Sequence, residues 1–529
     1  MKTLNINLIN KSFIVFTSAF LIAWNLYLLF LSFQVNFMQN DDWVYYDNII
    51  RLLNGNLTMN QLTAPTFYTI GILGFLWSKL FGHEALSILT TIVSIINLLL
   101  LYYILIIQLK INKFLSIVGL FLYAVIPLHV YLSIGFMTDQ YAILFVLLVT
   151  ILIIKFLRES NPELFVLILF ISFVGFLARQ YLIVFNASFF IVLLLQKKYK
   201  YALYTFGFMI SLSLFYLTIF PRTTEMHEKT ITLYRMFDYK LLMAYLYVGL
   251  LYISAFLFPF LSFSVFAFIK RNFSWKLLII SSLFSLALIL IFHQILLNTP
   301  EVGNEFPNLV NTFTQKGFFT NSFIGNKYHF KGYYDLFKYW QLIAQLGVFF
   351  IMLGLFYLIG VIIRLRKFKF IYANNNYNLL FLIISIVLYT FLVFMSVAIY
   401  DRYVLVVILF SSIFLLKLID IYFDNKNYYL VGITTFVFSL FLLIISYSYS
   451  SEFVYRIKIS NNEAIRLQNE LNLPVDHIKA NRAWNLYNNV GETYKIYFSY
   501  DQESNYLKKL KIDYPLNIFI EPYIYVYEN

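Results

Sequence analysis

The run Ser12–Phe33, SFIVFTSAFLIAWNLYLLFLSF, followed at once by Gln34–Asp42, QVNFMQNDD, decides what kind of protein this is. The first part carries no charged residue and is long enough, as a helix, to cross a hydrocarbon layer. It exceeds a signal-peptide core and lacks a small-residue cleavage site, so it is expected to stay as an anchor. Lys2 and Lys11 precede it, which predicts a cytoplasmic N-terminus and puts Asp41 and Asp42 outside. Ionised groups beside hydrocarbon are costly, and they tend to mark substrate or ion pathways.

The composition agrees with that opening. Of the 529 residues 61% are hydrophobic and 12% charged, against roughly half and about a quarter in soluble domains. The chain reads as an all-α polytopic membrane protein. With no cysteine, it has no disulfide framework, thiolate metal site or cysteine nucleophile. The net charge of +13 needs no nucleic acid partner, because most basic residues cluster where cytoplasmic loops are expected.

After Asp42, the segment Trp43–Asn54 predicts a helix lying in the membrane surface. It has Tyr46, Ile49, Ile50 and Leu53 on one face, and Asp47 and Arg51 on the other. Phe67–Phe81, following Pro65, is short and reads as interfacial or re-entrant. The expected spans continue with Ala85–Ile107, Phe114–Tyr131 and Gln140–Ile154, the short loop Ser133–Asp139 lying between the last two. Leu164–Leu195 is too long for one span and has Arg179 at its middle. Reading it as a hairpin of two short helices keeps Lys197, Lys198, Lys200, Lys270, Arg271, Lys276, Arg364, Arg366, Lys367 and Lys369 inside. It also places Arg179 at the outer rim.

The remaining spans are Tyr201–Phe220, Leu241–Ile269, Trp275–Leu297, Trp340–Ile363, Leu379–Tyr400, Tyr403–Phe423 and Tyr428–Tyr447. The total is about 13 transmembrane helices with the C-terminus outside. Residues 1–447 are thus expected to form the membrane domain, and 448–529 a small extracytoplasmic α/β domain. That domain is expected to have a helix at Asn462–Leu471 and strands at Tyr494–Phe498 and Ile518–Tyr527. Outer loops Pro221–Lys240 and Asn298–Tyr339 are long. There is no internal repeat, glycine-rich phosphate loop or metal-ligand spacing.

Asp41-Asp42, Asp139, Arg179 and Arg402 share one face of a charge-poor body. Each has a plainer reading: Asp41 or Asp42, and likewise Asp139, as helix N-caps, Arg179 as a snorkelling residue, and Asp401-Arg402 as a rim ion pair. His129 reads as a hydrogen-bonded core histidine, and Asn25, Asn97 and Gln108 as interhelical hydrogen-bonding groups. The coincidence of two acidic and two basic sites on one face favours a functional site.

Asp41-Asp42-x-x-Tyr45, then Ile49-x-Arg51 and Gly55, resembles the first outer loop of polyprenyl-phosphate-sugar-dependent transferases. These are the dolichyl-phosphate-mannose protein mannosyltransferase and lipid A aminoarabinose transferase families of the membrane C-type glycosyltransferase superfold. Their stretch usually reads Asp-Glu-x-x-Tyr, followed by an Arg and a Gly. Pro65–Tyr68 up to Lys79–Gly82 is similar to their next segment, and Asp139, Arg179 and Arg402-Tyr403 match family positions. Two departures stand out. Asp42 replaces the usual Glu, and Thr63-Ala64 stands where a Lys or His is common, leaving Arg179, Lys327 or Lys331 to supply that contact.

The resemblance implies transfer of a sugar from a polyprenyl phosphate to a hydroxyl of a glycolipid, glycan or protein, on the extracytoplasmic side and with inversion. It gives Asp41 as base, with Asp42 and Asp139 orienting the acceptor or tuning that base. Arg179 and Arg402 bind phosphate, and Tyr45, Arg51 and Tyr403 bind substrate. No cofactor is needed, although two nearby acids could hold a divalent metal. The expected setting is the cell (inner) membrane of a prokaryote, in assembly of cell-envelope glycans. A lipid-linked sugar transporter would instead show inverted repeats or mid-span charges. A lipid-linked glycan ligase or polymerase would rely on arginines and a histidine such as His329 in the large outer loop. A non-catalytic scaffold would leave the shared charged face unexplained.

Overall fold

The computed structural model describes residues 2–35, 37–39, 41–64, 66–219, 238–299, 302–303, 306–309, 312–314, 317–318, 333–365, 377–395, 400–423, 428–500, 502, 505–515 and 523–529. Pro65, most of the two long outer loops with Lys327, His329 and Lys331, and the basic residues Arg366, Lys367 and Lys369 lie outside the described residues.

Among the described residues, ten helices are long and apolar enough to cross a membrane, which makes the chain an integral membrane protein. The helices in order are α1 (Lys2–Gln34), α2 (Trp43–Leu53), α3 (Tyr68–Phe81), α4 (Leu86–Tyr103), α5 (Lys113–Ala124), α6 (Pro127–Ile134), α7 (Thr138–Glu159), α8 (Pro162–Phe176) and α9 (Ile183–Leu195). There follow α10 (Tyr199–Ile219), α11 (Tyr239–Arg271), α12 (Trp275–Leu297), α13 (Tyr333–Leu365), α14 (Tyr377–Met395), α15 (Val404–Tyr422), α16 (Tyr428–Leu471) and α17 (Arg482–Tyr487). The middle of the bundle is α5, α6 and α7, whose side chains are mostly buried. Helices α10 and α12 leave most of their apolar surface exposed, the state of a helix whose neighbour is lipid.

Three elements differ from the sequence expectation. The segment Phe114–Tyr131 is not one straight span: α5 and α6 meet at 64°. Pro127 lacks an N–H and pushes the preceding residue out of helical geometry, and Ile126 is extended at φ −63°, ψ 126°. The expected loop Ser133–Asp139 shrinks accordingly, because α6 includes Ser133 and Ile134, and α7 begins at Thr138. Finally, α16 runs unbroken through the expected boundary at 447/448 and absorbs the separate helix at Asn462–Leu471.

Beyond α16 the chain forms a four-stranded sheet of order β3-β4-β6-β5, comprising β3 (Ile478–Lys479), β4 (Ile496–Ser499), β5 (Lys508–Lys511) and β6 (Tyr523–Glu528). The β3–β4 pair is parallel and the others antiparallel. Strands β3 and β5 were not evident in the sequence, one being two residues long and the other, Lys508–Lys511, mostly lysine. A short hairpin of β1 (Phe313–Thr314) and β2 (Gly317–Phe318) packs on α16. Tyr449 of α16 donates to the Thr314 carbonyl at 3.1 Å.

The two ends of the bundle differ in chemistry. At one end Arg158 of α7 bonds Gln108, Arg271 lies over Tyr422, and Lys417 pairs with Asp420 at 2.8 Å. The other end carries α2, α3, the tip between α8 and α9, and the C-terminal sheet. There Gly175 permits the α8–α9 turn: a Cβ would lie 2.3 Å from Leu182 Cδ2 and 2.7 Å from Phe145 Cβ. Within the bundle, His129 lies 3.2 Å from Ser94 Oγ, and Asn97 reaches across to the Gln140 carbonyl at 2.8 Å. Asn25, by contrast, donates to Leu21 of its own helix rather than to a neighbour.

Candidate functional site

Helix α2 begins in a turn held by Asp42. Its Oδ1 accepts the backbone N–H of Gln39 at 2.9 Å, and the Gln39 side chain donates to the Ile134 carbonyl at 2.7 Å. Asp42 is buried, and its side chain does not cap the helix. Its neighbour Asp41 is part-exposed and faces the opposite way. Asp41 Oδ2 lies 3.4 Å from Arg402 Nη1, and Asp41 Oδ1 lies 3.3 Å from Arg482 Nη2. The two adjacent acids thus divide the work, one holding the turn and the other presenting a carboxylate.

The buried face of α2 is Val44, Tyr45, Tyr46, Asn48 and Ile49, centred nearer the helix start than the expected Tyr46–Leu53 face. Asn48 is buried because it serves the following loop, donating to Thr63 at 2.6 Å and accepting from the Asn60 N–H at 2.7 Å. Tyr45 stacks on Phe67 with ring centroids 5.0 Å apart. From there α3 grips the α8–α9 tip: Thr69 donates to Val174 and Leu177 carbonyls at 2.7 and 3.2 Å. Thr66 bonds Gln180 at 3.1 Å. Arg179 sits between, in extended backbone.

Arg179 Nη2 lies 3.7 Å from Asp139 Oδ2, both side chains being buried. Asp139 is inside the first turn of α7, not its cap, Met137 holding that position. An acid there is favoured by the helix dipole. Burial raises the pKa of the Tyr45 phenol, Asp139 adds to the rise, and Arg179 and Arg402 oppose it. For Arg179, burial disfavours the charge, but Tyr45 and Asp139 outweigh it and hold the guanidinium above its ordinary range. Tyr45, Asp139, Arg179 and Arg402 therefore share one electrostatic neighbourhood.

Arg402 comes from a single turn, Asp401–Tyr403, that leads into α15. Its guanidinium lies 4.9 Å from the Tyr400 ring centroid and 5.7 Å from that of Tyr403, distances at which cation–π attraction holds a cation in place. The expected rim pairing of Asp401 with Arg402 gives way to another arrangement. Asp401 is fully buried and accepts backbone N–H groups from Phe313 at 2.7 Å and Thr312 at 3.1 Å, while the Arg402 side chain turns to Asp41.

Of the sequence-predicted residues, Asp41, Asp139, Tyr45, Arg179, Arg402 and Tyr403 meet at this end. Arg51 does not join them: its Nε pairs with Asp47 at 2.8 Å, on the half-exposed side of α2. Arg482 and Asp401 were missed as site residues. Arg482 stands in a segment of ordinary soluble composition, and nothing in its neighbours sets it apart. Among the described residues, Arg179 Nε, Arg402 Nε and Asp139 Oδ2 are buried without a hydrogen-bond partner. Also among these, no three His, Asp or Glu side chains converge as a metal site.

Chemically, the arrangement offers one part-exposed carboxylate beside buried, permanently charged guanidinium forks with spare donors, roofed by phenols. No protein-family model and no curated protein matches the chain.

Proposed function

We propose that the chain is a membrane glycosyltransferase that moves a sugar from a polyprenyl phosphate to an acceptor hydroxyl, without a cofactor. The observation that carries this reading is the meeting of Asp41 with Arg402 at 3.4 Å beside the buried Asp139–Arg179 pair. A buried, unsatisfied guanidinium N–H is costly, and a phosphate oxygen is the acceptor its planar fork fits best.

In the proposed reaction Asp41 accepts the proton of the acceptor hydroxyl, and the oxygen attacks the anomeric carbon. The carbon–oxygen bond to the phosphate breaks with its electron pair leaving on the phosphate oxygen, where Arg179 and Arg402 stabilise the charge. A single displacement inverts the anomeric centre. Asp139 orients Arg179, Tyr45 and Tyr403 line the site, and Asp42 holds the turn that presents Asp41.

The basic end of the bundle, with Arg158, Arg271 and Lys417, supports a cytoplasmic placement of that end by the positive-inside rule. On this placement the site and the C-terminal sheet are extracytoplasmic. On the proposed reading the crossings are the ten long helices among the described residues, the bent α5–α6 pair and the short α8 and α9, about 13 in all. The proposed setting is the cell membrane of a prokaryote, with a cell-envelope glycolipid, glycan or protein as acceptor.

The test is a panel of labelled polyprenyl-phosphate sugars given to the purified protein, with release of polyprenyl phosphate followed. Turnover that falls by about a hundredfold or more in Asp41→Asn is expected of a lost general base. Turnover unchanged in Asp41→Asn would remove the base assignment, and no turnover of any donor would remove the transferase reading.

A further inference from the structure

Asp41 is shared by two arginines of very different exposure. The Arg402 side chain is 8% exposed and that of Arg482 is 48% exposed, with Asp41 itself at 27%. Oδ2 therefore lies on the side of the buried arginine and Oδ1 on the side of the half-exposed one. An acceptor hydroxyl arriving from the aqueous side meets Oδ1, the oxygen that Arg482 holds.

We propose that Arg482 is a positioning residue for the transfer reaction: it holds Oδ1 of Asp41 toward the entering acceptor and yields that oxygen when the acceptor binds. This rests on the transferase reading, and it assigns the C-terminal domain a part in the reaction. The backbone of Arg482 is anchored so that only its side chain need move. Asn481, itself buried, donates to Asn461 Oδ1 at 2.6 Å and to Ser460 Oγ at 3.1 Å on α16. The same residue caps α17 by accepting the Trp484 N–H at 3.1 Å. Trp484 in turn donates to the Ile478 carbonyl at 2.9 Å, and α17 packs on α2. The first residue of α17 is thus fixed above the carboxylate at the start of α2.

An exposed ion pair adds little to stability, so folding does not account for this contact. Its other consequence is orientation. Without Arg482, Oδ1 is free to rotate toward Arg402, whose Nε has no hydrogen-bond partner among the described residues, and the carboxylate would present neither oxygen steadily to the acceptor. The donor phosphate, in contrast, is assigned to the buried Arg179 and Arg402, and its binding should not depend on Arg482.

The experiment uses full-length wild type, Arg482→Ala, Arg482→Lys and, as a control for a lost arginine elsewhere in the same domain, Arg466→Ala. Two readouts are taken: modification of Asp41 by a water-soluble carbodiimide with an amine, read by peptide mass spectrometry, and kcat and KM on whichever polyprenyl-phosphate sugar of the panel the wild type turns over. In Arg482→Ala, Asp41 modification is expected to rise by up to about fivefold, the equivalent of one exposed ion pair. At the same time kcat falls and donor KM stays constant, Lys restores part of both, and Arg466→Ala changes neither.

Unchanged modification, or raised modification with unchanged kcat, overturns the positioning role and leaves the transferase reading intact. A raised donor KM with unchanged kcat overturns it too, by assigning Arg482 to donor binding. If the wild type turns over no donor, the transferase reading fails and the proposal falls with it.

Discussion

Asp401 accepts the backbone N–H of Phe313 at 2.7 Å, so the residue before Arg402 is one of the groups that fix the β1–β2 hairpin to the bundle. Asp401→Ala leaves the Thr312 and Phe313 amides buried and unsatisfied, a cost of about 1–3 kcal/mol. The expected result is a lower Tm of the purified protein, together with weaker donor binding, since Arg402 follows directly. Asp401→Asn, which keeps one acceptor oxygen, should lose less of both.

A second tie joins the same hairpin to the C-terminal sheet. Arg456 is fully buried in α16 and donates to the Phe318 carbonyl and the Tyr500 hydroxyl, each at 2.8 Å. Glu452, one turn away, lies 3.3 Å from Arg456 Nε and accepts from Tyr500 at 3.0 Å. Removing one partner of a buried ion pair costs roughly 3–5 kcal/mol. Glu452→Ala should therefore lower Tm strongly, and limited proteolysis should cut within the sheet first. Tyr500→Phe keeps the ion pair and should cost less.

Gly432 of α16 meets Phe114 of α5 so closely that a Cβ would sit 2.0 Å from the ring. Gly432→Leu should destabilise by about 1–3 kcal/mol through overpacking. Combining it with Phe114→Ala should recover part of the loss, which a thermal-unfolding comparison of the single and double variants would show.

Arg51 and Arg402 are both expected to bind substrate on the family resemblance, but they are not equal in the fold. Arg51 forms a part-exposed i,i+4 pair with Asp47, worth about 1 kcal/mol or less, so Arg51→Ala should leave donor turnover within about fivefold. Arg402→Ala strands Asp41 on its buried side and should abolish turnover of the same donor. Equal losses in both variants would show that Arg51 belongs to the site.

The sequence by itself determined the membrane character, the helix after Asp42 and the two short helices α8 and α9 with Arg179 between them. These rest on hydropathy, helical spacing and the distribution of basic residues, which act over one segment at a time. It also singled out Asp41, Asp139, Arg179 and Arg402 by their rarity in a charge-poor body. Only the tertiary structure decided which acid does what. Asp41 and Asp42 are chemically identical neighbours, and their difference comes from Gln39 on one side and Arg402 on the other. Arg482 entered the site because a buried Asn481 fixes α17 above α2, a contact between the two ends of the chain that no local pattern encodes. The bend at Pro127 was readable in principle, since proline breaks a helix wherever it stands. That the bend turns α6 beneath Asp42 and Gln39, however, depends on how the helices pack.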